Sequence, residues 1–255
     1  MKLKIKKDLL LDGLTKVSKA ISTKNLVPVL AGIKFELEKN GLTLTASDND
    51  ITIQVFLEKN EDMSIENEGS IIIQGRYILD IVRKLPDEFI KIMDDSEDSL
   101  ELHIFNNKVL IKYQNLLFQS RLISGTYPNT ANLLPDEFLL NIKANINDLY
   151  SVIDRASILT SDKEKNIVTF EIDNNKLYVR SSAAEIGRVE EKMIIEKNNN
   201  ENLKISFVAK YMMDALKSFD DEKVEISFVG EVKPIILKSE KDDGLVQLVL
   251  PIRTY

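Results

Sequence analysis

Two stretches of this chain repeat a spacing of basic residues that offers positive charge on one helix face rather than covalent chemistry. In residues 74–92, QGRYILDIVRKLPDEFIKI, Arg76 and Arg83 stand seven apart. On a helix that places them almost one above the other. In residues 208–227, VAKYMMDALKSFDDEKVEIS, Lys210 and Lys217 repeat the pattern. The two stretches align without a gap: Arg76 falls on Lys210, Tyr77 on Tyr211, Asp80 on Asp214 and Arg83 on Lys217. Their separation is too long for a solenoid period and reads as one domain-sized unit used twice. Ile78, Ile81, Val82 and Leu85 line the opposite face of the first helix, as Met212, Ala215, Leu216 and Phe219 do in the second. Each unit therefore carries an amphipathic helix with a basic outer face. A single stripe of this kind reads as a solvated surface, and two copies of the same polarity in an acidic protein weigh against that reading.

Nothing else in the sequence suits bond-making chemistry. There is no glycine-rich phosphate loop, no HExxH and no nucleophile elbow. His103 is the only histidine and falls in an alternating strand-like run. A structural histidine fits that setting better than a catalytic one. Residues 94–98, DDSED, lack the glycine and the closing glutamate of a calcium loop. Cysteine is absent, so neither a disulfide framework nor a thiolate metal site can form. The expectation is a non-enzyme with no catalytic residues, no metal and no cofactor. The net charge of −7 argues against tight nucleic-acid binding by bulk charge, though not against a local basic surface. No apolar run reaches the ~20 residues of a membrane span, and the start of the chain is not a signal peptide. A soluble cytoplasmic protein, nucleoid-associated if it holds DNA, is expected.

The elements that must position the basic faces follow from periodicity. Leu3 and Ile5 alternate with lysines as a strand, and Asp8 is the expected N-cap of a helix reaching about Ile21. Strands are expected at 29–37, 42–46 and 51–57, with a turn at Asn40–Gly41. Residues 58–69 read as a polar loop and 69–74 as a strand entering the basic helix. A further strand is expected at 100–105. Residues 125–135, GTYPNTANLLP, read as a linker, and 196–202 as a second polar loop. Each half has the order strand, helix, three strands, then again strand, helix, three strands. Two helices per half among antiparallel strands make an α+β fold of two similar domains, 1–134 and 135–255.

With those elements placed, the sequence resembles the bacterial DNA polymerase III β subunit, the sliding-clamp family. The opening, MKLKIKKDLLLDGLTKVSKAISTKNLVPVLAGIKFELEKNGLTLTASDNDITIQ, is similar to the start of that family. GSIIIQGRYILDIVRKLP is similar to its second helix, and IDRASIL, SFVAKYMMDALKSF and QLVLPIRTY to its last domain. The family has three domains per chain, whereas this sequence holds two. Residues 1 to about 92 resemble the first, and about 99–135 the end of the middle one, so the first domain here reads as a hybrid.

The resemblance implies the DNA-clamp fold and a closed ring, with helices around duplex DNA bound independently of sequence. The DNA-facing residues are then Lys16, Lys19, Lys24, Arg76, Arg83 and Lys84 in the first half, and Arg155, Lys210 and Lys217 in the second. It also implies a hydrophobic pocket for a short peptide of DNA polymerases and repair proteins, at Pro128, Leu133, Pro234, Leu248, Val249, Leu250, Pro251, Ile252 and Arg253. The facing wall is expected from residues 45–50. A clamp loader is the other implied partner. Ring closure is expected through Ile158 and Leu159, as a homotrimer, with a dimer, an open arc or a monomer as the alternatives. The rival reading is a decoy that binds the peptide motif without encircling DNA.

Overall fold

The computed structural model describes residues 1–22, 27–85, 89–94, 107–113, 116–128, 135, 137–159 and 166–253. Contacts divide the chain into two compact units. Met1–Asp48 and Ile53–Pro128 make the first, Asn49–Thr52 and Asn129–Tyr255 the second.

The first unit runs β1 (Lys2–Lys6), α1 (Lys7–Val17), β2 (Gly32–Glu38), β3 (Gly41–Ser47), β4 (Ile51–Glu58), β5 (Met63–Asn67), β6 (Gly69–Gln74), α2 (Gly75–Lys84), β7 (Phe89–Asp94), β8 (Lys108–Tyr113) and β9 (Leu116–Arg121). The second runs β10 (Leu140–Asn145), α3 (Ile146–Ala156), β11 (Ile167–Asp173), β12 (Lys176–Ala183), β13 (Gly187–Ile194), β14 (Glu196–Lys197), β15 (Leu203–Val208), α4 (Ala209–Leu216), β16 (Lys223–Phe228), β17 (Ile235–Ser239) and β18 (Leu245–Val249). The order is the same, element for element. So is the sheet topology: β5-β1-β7-β8-β9 and β4-β3-β2-β6 in the first unit, β14-β10-β16-β17-β18 and β13-β12-β11-β15 in the second. This is the expected α+β arrangement of two similar units.

The cores follow from the two periodicities. Leu3 and Ile5 of β1 point inward with no exposure, as do Phe35, Leu42 and Leu44 on β2 and β3. Leu10, Leu14 and Val17 recur at helical spacing and bury one face of α1. Gly13 on that face lets the helix close on the sheet: a Cβ there would stand 2.9 Å from a Leu44 methyl. In the second unit Leu149, Val152, Ile153 and Ala156 of α3 do the same work. The Asn145 side chain caps α3 by accepting from the Asp148 N–H at 3.1 Å. Helices α1 and α2 pack together, as do α3 and α4.

Several local expectations need correction. The N-cap of α1 is Lys6, and Asp8 lies in the first turn, where its carboxylate meets the positive end of the helix dipole. Pro28 opens a 3₁₀ turn, Pro28–Ala31, so β2 starts only at Gly32. The turn between β2 and β3 is Lys39–Asn40, one residue early. The polar stretch 58–69 contains β5, because Met63 and Ile65 pair with Ile5 and Leu3 of β1 despite their charged neighbours. The loop 196–202 likewise contains β14, paired to β10. The expected linker begins as part of the first core. Tyr127 is buried with Val29, Leu30 and Ile72, its hydroxyl 3.5 Å from the Gly32 carbonyl, and burial pushes its pKa upward. The strand at 100–105 and His103 lie outside the described residues, as do residues 95–98 of the acidic run.

Candidate nucleic-acid interface and partner site

Helix α2 buries Gly75, Ile78, Leu79 and Val82, so Arg76, Arg83 and Lys84 are left on the outer face. Leu79 is buried where Ile81 was expected, and Ile81 is half-buried. Arg76 is 85% exposed and only loosely paired, 4.0 Å from Asp80. Arg83 and Lys84 are exposed with no acidic partner among the described residues, and so is Lys19. Lys16 differs: its side chain is 12% exposed and pairs with Asp12 one turn back, at 2.9 Å. It belongs to the covered side of α1 rather than to an open basic face. Lys24 lies outside the described residues.

The second unit spends more of its cations on itself. Lys210 pairs with Asp214 at 2.8 Å. Arg155, at the end of α3, makes a two-pronged bond to Glu191 on β13, Nε and Nη2 donating to the two carboxylate oxygens at 2.6 and 2.7 Å. That guanidinium holds the Glu191 carboxyl below its ordinary range. Lys217 is exposed, its ammonium 5.0 Å from the centre of the Tyr150 ring. The hydroxyl of the same tyrosine raises the lysine's pKa. The share of cations open to an outside anion is therefore larger in the first unit.

The residues expected to bind a peptide separate by burial. Leu248 and Val249 are core, 3% and 0% exposed, and cannot be a pocket floor without rearrangement. Pro234, Leu250, Pro251 and Ile252 are half-buried, and Arg253 is exposed. Pro128 is half-buried in the first unit, and Leu133 lies outside the described residues. The Leu250 N–H donates to the Asp50 carbonyl at 2.8 Å. Asp50, part of the second unit, also accepts from the Tyr211 hydroxyl at 3.1 Å. So Asp50 stands beside Leu250, and Tyr211 stands with it. Tyr211 was visible in the sequence only as the partner of Tyr77 in the repeat. Nothing in the pattern separated it from a basic-face residue.

Ile158 and Leu159 form a 3₁₀ turn after α3. Ile158 is 74% exposed and Leu159 half-buried. The Arg155–Glu191 pair ties this corner to β13, whose residues alternate between exposed and half-buried along its length. Among the described residues no helix is long and apolar enough to cross a membrane.

Comparison with known proteins gives these surfaces a family. Residues 1–113 match the model of the DNA polymerase III beta subunit, N-terminal domain, and residues 131–253 that of the C-terminal domain. A beta sliding clamp of Staphylococcus epidermidis is 39% identical over 92% of this chain, and one of Staphylococcus aureus 36%. The chain spans 60% of the length of these relatives. Among solved structures, the DNA polymerase sliding clamp of Bacillus subtilis aligns over the whole of both chains at 26% identity with a TM-score of 0.56. The DNA polymerase III subunit beta of Borrelia burgdorferi, at 15% identity, shares the fold with a TM-score of 0.85 over 65% of its length. Two family models that between them take in almost the entire chain, and a duplicated α+β unit that superposes on solved clamps, make this chain a member of the DNA polymerase III β-subunit, or sliding-clamp, family.

Proposed function

We propose that this chain is a DNA sliding clamp: a non-enzymatic processivity factor that encircles duplex DNA and tethers a DNA polymerase and repair proteins. The observation that carries the reading is the duplicated helix pair. In each unit the apolar face is buried and the opposite face presents basic residues. Contacts of that kind are weak and independent of sequence, which suits a protein retained by closure rather than by affinity. An acidic chain of net charge −7 can then hold DNA without sticking to it.

The contacts to DNA come from Lys19, Arg76, Arg83 and Lys84 and, more weakly, from Arg155, Lys210 and Lys217. The partner peptide docks on Leu250, Pro251 and Ile252, with Asp50 and Tyr211 at its side. A clamp loader opens the ring, and the setting is the cytoplasm, at the nucleoid. The domains divide near residue 134, the first being a hybrid of family domains. With two units per chain, a ring of six units takes three copies, joined head to tail through Ile158 and Leu159.

The test has two readings. Native mass at micromolar concentration is expected to give three chains. Protein loaded on nicked circular DNA is expected to stay bound through a high-salt wash and to leave when the circle is cut. Retention that is indifferent to cutting overturns encirclement. Peptide binding without any retention on the circle identifies a decoy instead.

A further inference from the structure

A cavity of about 390 Å³ opens in the first unit, a size that suits a small ligand or a few side chains of a peptide. Its walls are residues 70–72 of β6, Asn107 and the segment 122–127. The floor is apolar, built on Ile72 and Ile123 against the cluster of Val29, Leu30 and Tyr127. The rim is neutral and hydrogen-bonding. Ser70, Ser124 and Thr126 are exposed there, and the Asn107 amide donates to the Ser124 hydroxyl at 2.6 Å. Among the described residues Lys34 supplies the only charge in the lining, and it is paired with Glu36 at 2.6 Å. That is no site for a phosphate.

The backbone of β6 says what fits. On one side β6 pairs with β2. On the other, the Ile73–Leu122 bridge and the Ile123 N–H on the Ile72 carbonyl, at 2.9 Å, hold a short stretch of chain. Then Gly125, at φ 138°, carries the chain onward in a conformation that favours glycine. In an antiparallel pair the outward-facing groups belong to alternate residues. The Ile72 carbonyl faces outward, so the N–H and carbonyl of Ser70 face outward too, into the cavity.

The second unit repeats this joint. Phe207 bridges Pro251, and the Ile252 N–H donates to the Ser206 carbonyl at 2.7 Å. Ser206 takes the place of Ile72 in the repeat that sets Lys210 on Arg76, and Pro234 takes that of Asn107, each preceding the next-to-last strand of its unit. Pro251 and Ile252 belong to the surface proposed above to take a partner peptide, and Pro234 is among the residues expected from the sequence to line it.

We propose that the first-unit cavity is a second docking site for an extended peptide, whose main chain pairs with Ser70 on the β6 edge and whose aliphatic side chain seats on Ile72 and Ile123. Strand addition supplies affinity through the backbone, and the floor selects an aliphatic residue. The neutral rim selects uncharged polar neighbours. The inference rests on the peptide-docking reading of the second unit, and the experiment separates the two.

Calorimetric titration of the full chain would use a synthetic peptide carrying the clamp-binding segment of a bacterial DNA polymerase. The expected result is two peptides per chain. Ser124→Trp, which fills the mouth, and Ser70→Pro, which removes only an outward N–H that an edge strand can spare, are each expected to weaken one class of sites at least tenfold. Ile252→Asp removes the other class. Ser70→Pro reads the same site through the backbone and decides the matter where Ser124→Trp does not fold. One peptide per chain, lost in Ile252→Asp and untouched by the first-unit variants, overturns the inference and leaves the second-unit reading intact. Binding that survives Ile252→Asp and is weakened by Ser124→Trp or Ser70→Pro upholds the inference and overturns the second-unit reading. No binding to the unaltered chain overturns both.

Discussion

Gln119 and Gln247 hold the same place in the two units. Each sits on the last strand of its unit, opposite the third residue of the strand before it, Leu110 or Leu237. Gln119 is exposed; Gln247 has no exposure at all. The contrast extends along both strands. β9 alternates between exposed and half-buried, whereas β18 is buried at four of its five residues. Among the described strands β9 ends its sheet with β8 as its one neighbour, and it leaves Leu116 and Leu117 exposed, the latter at 57%. A folded protein does not usually leave an apolar edge strand open, because its free N–H and carbonyl groups invite pairing. The same unit used twice has thus produced one covered last strand and one uncovered. In the second unit an exposed edge of this kind is β13, beside Ile158.

The largest expected effect breaks that contrast. If β9 and the β13 corner are the two halves of a joint between copies, an aspartate in either leaves a charge against an apolar partner. Ile158→Asp and Leu117→Asp are each expected to reduce the native mass to a single chain at micromolar concentration, with melting unchanged in the isolated chain. Retention on circular DNA should vanish with assembly. An oligomer that survives both substitutions places the joint elsewhere.

The basic faces give the next effect. Arg83 has no acidic partner among the described residues, and Lys210 is already held by Asp214. Arg83→Glu is therefore expected to lower DNA association about tenfold at moderate salt, and Lys210→Glu by less. The pair Arg83→Glu with Lys217→Glu should lose more than either. Each lost phosphate contact should flatten the salt dependence by about 0.9 in log–log slope, alike for unrelated sequences. Equal losses from Arg83→Glu and Lys210→Glu would show that internal pairing does not decide which cations meet DNA.

Periodicity made the elements legible, and the repeat made the helix faces legible, because both are local properties of side-chain order. Leu10, Leu14 and Val17, or Met212, Ala215 and Leu216, announce their buried face by spacing alone. Pairing between distant residues is not local. The sequence could not tell that Arg155 meets Glu191, that Lys16 is covered, or that Asp50 accepts from Tyr211. β5 was hidden for a related reason: its two apolar residues, Met63 and Ile65, are too few to signal a strand without β1 beside them. Within the candidate pocket, the run 248–253 looked uniform, yet the register of β18 turns Leu248 and Val249 into core and frees Leu250 onward.

A smaller effect isolates what burial does to Gln247. Neither its Nε2 nor its Oε1 has a hydrogen-bond partner among the described residues. A buried polar group left unpaired costs about 1–3 kcal/mol. Gln247→Leu is expected to stabilise the chain by about that amount in denaturant titration, while Gln119→Leu, at the exposed counterpart, should change stability by less than about 0.5 kcal/mol. Equal responses would mean that the two strands are covered alike in solution.

The smallest effect compares the ends of the first helix of each unit. Lys16 and Arg155 occupy the tenth position of eleven-residue helices. Lys16 turns back to Asp12 on its own helix, whereas Arg155 crosses to Glu191 on another element. Only the second pair joins a helix to a strand, so only there should protonation loosen a tertiary contact. The Arg155 guanidinium lowers the Glu191 pKa below its unfolded value. The stabilisation is then fully present above the unfolded carboxylate pKa of about 4.3 and is lost as pH falls through the lower folded value. Both side chains are partly exposed, so salt screens the pair and the effect is small. Glu191→Gln should flatten the loss of stability on acidification below about pH 5, and leave the curve near pH 7 slightly lowered. Asp12→Asn should leave the hydrogen-exchange protection of β13 unchanged at every pH, and Glu191→Gln should lower it at pH 7. If β13 protection is the same in both variants, the Arg155–Glu191 bond does not hold the corner that carries Ile158.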